Sequence, residues 1–138
     1  MLRACRQLLR PGGRTAFYTI HPAPGLDPPR RRRAARDGPV AVATSRPHLE
    51  LLDAAGFVDI GETDCTAEFE ATARAWIEQS DAHRDDLVAL LGVRTFEERQ
   101  AERRAQLRAI EDGVLCRSLF VAAHRPDKGA NAGRARLG

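Results

Sequence analysis

Few side chains in this sequence stand where they could do chemistry, and His21 is the first of them. It follows Arg14-Thr15-Ala16-Phe17-Tyr18-Thr19-Ile20, a run rich in β-branched and aromatic residues between Gly13 and Pro22. That run reads as a buried strand. Ligands gather beyond the carboxyl ends of strands in α/β sheets. His21 is therefore a candidate substrate contact or general base, and Tyr18 shares the candidacy; a loop histidine without a role is the competing reading. Trp76, at helical spacing from Phe69 and Ala73, is a third candidate, for lining an acceptor pocket. A stripe with that period is more often core.

Other constellations fall short of a site. His83 and Asp86 stand three apart on a helix start rich in Asp81 and Asp85, but no third metal ligand accompanies them. Acidic residues there favour the helix dipole. Cys5, Cys65 and Cys116 are odd in number, widely spaced and without a CxxC. They argue against a disulfide framework or a zinc site and fit a reducing cytoplasm. His48 and His124 belong to no pattern, and no catalytic triad, carboxylate pair or P-loop can be assembled. Neither a cofactor-binding residue nor a metal ligand is assigned.

Arg30, Arg31, Arg32 and Arg33 could bind a polyanion. No aromatic residue interleaves them, as stacking on bases would need, so a solvated helix face is the simpler reading and nucleic acid is not the expected partner. The charge balance agrees. The 138 residues carry 22 basic and 19 acidic side chains, a net +3. Residues 30–36 supply five of the positives, and residues 125–138 supply four with one acid. The remainder holds 13 basic against 18 acidic residues, so the basicity belongs to two local segments. All the basic residues but one are arginine, which points to GC-rich codon usage before phosphate recognition. With 30% charged residues, a mean hydropathy of −0.41 and no apolar run near the ~20 residues of a membrane span, the chain excludes a membrane protein. It also lacks a signal-type start. A cytoplasmic protein is expected.

The elements that must position these residues follow from pattern. Residues 2–10 read as a helix with Leu2, Cys5, Leu8 and Leu9 on one face, stopped by Pro11-Gly12-Gly13. Asp27-Pro28 reads as a cap and first helical residue, with a short helix to Asp37 closed by Gly38-Pro39. Ser45 is placed to cap a helix that turns Leu49, Leu52 and Ala55 inward and stops at Gly56. Residues 57–63 read as a strand. Thr66 then caps a helix carrying Phe69, Ala73, Trp76 and Ile77. A helix over about 81–91 closes at Gly92, and Thr95 with Glu98 forms a capping box for a helix to Gly113 anchored by Phe96, Leu107 and Ile110. Residues 114–123 (VLCRSLFVAA) are apolar on both alternating faces except at Arg117 and Ser118, as a strand in the middle of a sheet must be. Residues 126–138 read as a disordered tail. The order is α/β with three strands and no internal repeat.

Three segments carry a resemblance. Leu8-Leu9-Arg10-Pro11-Gly12-Gly13-Arg14, a helix end running into an apolar strand, resembles the L-[RK]-P-G-G segment before the fifth strand of class I S-adenosylmethionine-dependent methyltransferases. Leu51-Leu52-Asp53-Ala54-Ala55-Gly56-Phe57 resembles the helix-to-strand junction that leads into that family's sixth strand. VLCRSLFVAAHRP resembles the seventh strand, inserted antiparallel between those two. Together they cover residues 2–125. The resemblance implies a partial Rossmann-like sheet with strands in the order 5-7-6, packed helices, and a helical insertion over about 66–112. It implies methyl transfer from S-adenosylmethionine to an unidentified acceptor, most simply a small molecule, with Tyr18, His21 and Trp76 as substrate-side candidates.

The family's Gly-rich loop and ribose-binding acid have no counterpart, since the sequence contains no G-x-G and its Gly12-Gly13 pair follows a helix. The chain thus resembles the C-terminal part of such an enzyme, expected to be truncated or started late and inactive alone. The alternative is a small non-enzymatic interaction module, self-associating through an exposed strand edge or docking a polyanion on the Arg30–Arg33 helix.

Overall fold

A computed structural model describes residues 1–39 and 46–126. In chain order these form α1 (Leu2–Leu8), β1 (Arg14–Pro22), α2 (Pro28–Asp37), α3 (His48–Ala54), β2 (Phe57–Asp64), α4 (Thr66–Ala82), α5 (Arg84–Leu91), α6 (Val93–Glu111) and β3 (Leu115–His124). The strands make one antiparallel sheet in the order β1-β3-β2. The last and most apolar strand is therefore the central one, as its two-faced apolar pattern requires. Hydrogen bonds fix its register at both ends of β1. The His124 N–H donates to the Gly13 carbonyl at 2.8 Å, and the Ala23 N–H donates to the Val114 carbonyl at 3.0 Å. Because β1 and β2 both run against β3, they are parallel to each other.

The twin glycines have a specific task at the start of β1. Gly12 N–H donates to the His124 carbonyl at 3.0 Å while His124 bonds Gly13, so two residues oppose one, as in a β-bulge with glycine at its first position. Gly12 holds φ at 75°, a conformation open to glycine. A Cβ on Gly13 would lie 2.8 Å from the Arg10 carbonyl oxygen, so this position excludes any side chain.

The described residues divide into two compact units, one taking 1–18, 46–63 and 119–126 and the other 19–39 and 64–118. In the first, Leu52, Ala55, Phe57, Phe120 and Ala122 form the core, with Leu2, Cys5, Leu9, Phe17 and Ile60 packed against it. Phe17 stacks on Phe120 with ring centroids 5.7 Å apart. In the second, Leu26, Ala34, Phe69, Ala109, Ile110, Val114 and Leu115 form the core. There α2 begins as its sequence predicts, with the Asp27 carboxylate accepting from the Arg30 N–H at 2.8 Å and Pro in the first turn.

Several expectations are corrected. β1 is an edge strand rather than a buried one: Thr15, Phe17 and Thr19 are half-covered, while Ala16 and Tyr18 face outward. With one neighbour and one covered face, half its side chains keep solvent. Leu8 and Leu49 are exposed rather than inward, because α1 and α3 are each only seven residues long and cover the core with a narrow stripe. Thr66 is not a cap: α4 is capped at Cys65. Thr95-Glu98 is not a capping box either. α6 starts at Val93, one turn of bonds earlier, with Gly92 at its cap. Ser45 and residues 127–138 of the expected tail lie outside the described residues.

Burial sets the cost of truncation. Leu115 is fully buried on the central strand, so Leu115→Ala should destabilise the chain by about 2–5 kcal/mol in urea unfolding. Leu8→Ala, at 88% exposure, should stay within about 0.5 kcal/mol of the parent. Equal effects would contradict this sheet order.

Candidate functional site

The carboxyl ends of β1 and β2 point the same way, and the first residues of β3 lie between them. His21 and Ser118 meet there, and Asp64 closes β2 at the same end of the sheet. The β1–β3 register sets His21 opposite Cys116, so Ser118, two residues on, projects from the same face within side-chain reach. The His21 Nδ1 lies 2.9 Å from the Pro22 carbonyl oxygen. A carbonyl can only accept, so Nδ1 carries the proton. In the neutral ring Nε2 is then the acceptor, and the Ser118 hydroxyl donates to it at 2.8 Å. Ser118 is 2% exposed, and a hydroxyl at that depth needs its partner.

β2 delivers the third group. The Asp64 Oδ1 accepts from the Thr66 hydroxyl at 2.6 Å and from the Thr66 N–H at 2.9 Å. The Thr66 oxygen in turn accepts from the Arg117 N–H at 3.1 Å, tying the start of α4 to β3. The Thr66 hydroxyl bond first, and its N–H second, hold the Asp64 carboxyl below the usual carboxylate range. The result is an imidazole oriented by two hydrogen bonds, with a persistent carboxylate at the same end of the sheet, where an α/β sheet takes its ligands. The arrangement can orient a polar ligand by hydrogen bonds and charge.

The other sequence candidates separate from this cluster. Tyr18 is 60% exposed on β1, in the first unit. Trp76 is neither core nor part of the cluster: it is 62% exposed on α4, with the Arg103 guanidinium 5.6 Å from its ring centroid. The core stripe of α4 runs instead through Phe69, Ala73 and Ile77. Sequence reasoning missed Ser118 and Asp64. Ser118 had a signal, as a polar residue interrupting an apolar central strand; Asp64 had only its place two residues before Thr66.

The Arg30–Arg33 run is largely committed within its own unit. Arg30 donates to the Asp112 carbonyl at 2.9 Å, Arg31 to the Leu26 carbonyl at 3.1 Å, and Arg33 to the Asp112 carboxylate at 2.6 Å. Asp37 accepts from Arg36 and Arg33, and these bonds hold its carboxyl below the ordinary range against the opposing effect of burial.

No protein-family model and no curated protein matches the sequence. Solved structures do. Phosphoethanolamine N-methyltransferase 2 of Haemonchus contortus, in complex with phosphomonomethylethanolamine and S-adenosylhomocysteine, superposes with a TM-score of 0.74 at 16% identity, over 91% of this chain and 29% of that one. A protein of Galdieria sulphuraria described as a sarcosine dimethylglycine methyltransferase gives 0.76 at 11% identity, over 90% and 46%. A cyclopropane synthase of Mycobacterium tuberculosis gives 0.66 at 14%, over 88% and 48%. The chain has the class I S-adenosylmethionine-dependent methyltransferase fold. It spans between 29% and 48% of the length of these structures.

The described residues do not make a cradle for S-adenosylmethionine in this methyltransferase fold. Of the glycines with positive φ, Gly12, Gly56, Gly92 and Gly113 follow helices, and Gly25 alone lies between a strand and a helix. A single glycine does not supply the close backbone approach of a Gly-rich loop. Among the described residues no helix is long and apolar enough to cross a membrane, and no three His, Cys, Asp or Glu side chains are grouped to hold a metal.

Two measurements check the cluster. Long-range 1H–15N NMR should find His21 protonated at Nδ1 and bare at Nε2 near pH 8; Ser118→Ala should cost about 1 kcal/mol by leaving that nitrogen short of a partner. The Asp64 carboxyl is depressed in the fold, so its contribution is complete above its unfolded value of 3.8 and is lost as pH falls through the lower folded one. The stability gap between the parent and Asp64→Asn should therefore narrow below pH 4. A gap that widens in acid would refute the assignment.

Proposed function

We propose that this chain is the substrate-side part of an S-adenosylmethionine-dependent methyltransferase acting on a small-molecule acceptor. The observation that carries the reading is the superposition of about nine-tenths of the chain on methyltransferases, one of which is seen both with S-adenosylmethionine and with S-adenosylhomocysteine. In this reading β1, β3 and β2 correspond to the fifth, seventh and sixth strands of the family sheet, and α4 to α6 form the inserted helical cap. The chemistry needed is in-line attack of the acceptor on a methyl carbon, so the protein's main contribution is proximity and orientation.

His21 serves here as a positioning residue rather than a base, because Ser118 already occupies its Nε2. Asp64, at the same end of the sheet, favours an acceptor carrying positive charge or hydrogen-bond donors. Tyr18 is kept as a lesser acceptor contact, while Trp76 is better explained by its Arg103 neighbour. The cofactor is held by residues outside this chain's own, so residues 1–138 are inactive alone. Cys5, Cys65 and Cys116 form no disulfide with one another, and the reading places the protein in the cytoplasm. The β1 edge offers a route to self-pairing. No observation favours the polyanion-binding alternative, since three of the four consecutive arginines are engaged internally.

Calorimetric titration of residues 1–138 with S-adenosylmethionine should give no saturable binding in the micromolar range. Micromolar binding would overturn the division of labour proposed here. Combined with a separately supplied S-adenosylmethionine-binding half of a methyltransferase of this fold, the chain should gain binding, and His21→Ala should then raise the acceptor KM more than it lowers kcat.

A further inference from the structure

The helical segment holds a second feature that the methyltransferase reading does not use. A cleft of about 250 Å³ opens on α5 and α6, walled by Leu87, Leu90, Leu91 and Phe96. Its charged lining residues are Arg99 and Arg103, and no acidic residue lines it. Neither arginine has a carboxylate partner among the described residues, whereas three neighbouring arginines do: Arg84 pairs with Glu97, Arg94 with Glu98 and Arg104 with Asp81. The apolar wall is open to solvent, with Leu90 80% and Leu91 36% exposed.

Arg103 is held in place. Its Nη1 donates to the Ser80 hydroxyl at 2.9 Å and to the Gln100 Oε1 at 3.3 Å, and its Cζ lies over the Trp76 ring. Gln100 is fully buried and is itself fixed by donating to Asp81 at 2.8 Å. A buried amide satisfied on both sides thus orients a guanidinium at the cleft. A guanidinium already fixed loses little freedom when it binds a planar anion, and its fork matches a carboxylate.

We propose that this cleft binds an organic carboxylate with a short unbranched apolar tail, the tail lying on Leu87, Leu90, Leu91 and Phe96 and the head on Arg99 and Arg103. The volume lies just below the ~300 Å³ at which drug-sized sites begin, which suits a slender tail. The lack of acidic lining leaves the carboxylate without repulsion. The site does not depend on methyl transfer and would stand if that reading failed.

The protein carries its own reporter, because Trp76 is its only tryptophan and lies against Arg103. Octanoate, titrated below its micelle concentration and followed by Trp76 fluorescence and calorimetry, should saturate. Octanol should bind about tenfold more weakly or worse, the loss expected for removing a charge-assisted hydrogen bond, and acetate should give no response. Arg99→Gln, at an exposed residue, should weaken octanoate by about tenfold without altering the circular dichroism. Arg103→Gln should do the same by calorimetry. Equal affinity for octanol and octanoate, an unchanged Arg99→Gln, or absence of saturation would overturn the proposal. So would light scattering showing a dimer that octanoate dissociates, since a second copy would then be the natural occupant of the apolar wall.

Discussion

A strand with neighbours on both sides can leave neither its backbone nor its faces to water, and β3 meets that condition as the last of the described elements. Val114, Leu115, Phe120, Ala122 and Ala123 are buried because β1 and β2 flank the strand and helices cover it. Running antiparallel to both, β3 starts where they end. That reversal, more than any local motif, creates the candidate site. It brings Ser118 to His21 and the Arg117 N–H to Thr66, although these partners are 97 and 51 residues apart in sequence.

The same strand explains what the sequence could disclose. A run apolar on both alternating faces has one comfortable place in a three-stranded sheet, so its central position is legible in the residues themselves. The cap at Asp27 and the glycine stop at Gly12-Gly13 are legible too, since each depends on a few adjacent residues. The failures share a cause. Leu8, Leu49 and Trp76 sit at helical spacings that a longer or better-covered helix would bury, and periodicity alone does not say how much of a face its partner covers. Thr66 and Thr95 have cap-like side chains, but the chain turns earlier, at Cys65 and at Gly92, whose φ of 82° ends α5 and admits α6 at once. Ser118 was visible as an interruption; its partner was not, because a register is a property of two strands.

Arginine content carried the opposite lesson. A run of four consecutive arginines suggests an anion-binding face, yet α2 spends three of them on Asp112 and the Leu26 carbonyl. Ion pairs this exposed contribute little stability each. Their effect is rather to hold α2 against the end of α6. Arg99 and Arg103 on α6 have no carboxylate partner among the described residues, a difference that composition could not show.

Among the described residues the buried polar side chains are Ser118 and Gln100. Burying such groups costs free energy unless every bond is met, and a leucine at either place would be simpler to pack. Both are nonetheless satisfied, and both end on a less buried group: Ser118 on His21, Gln100 on Arg103. In each case the deep side chain leaves the outer one a single orientation. A core built only for stability would not need either. The buried polar atoms of Ser118 and Gln100 are therefore where a change would be felt first, because each would unfix the group it orients.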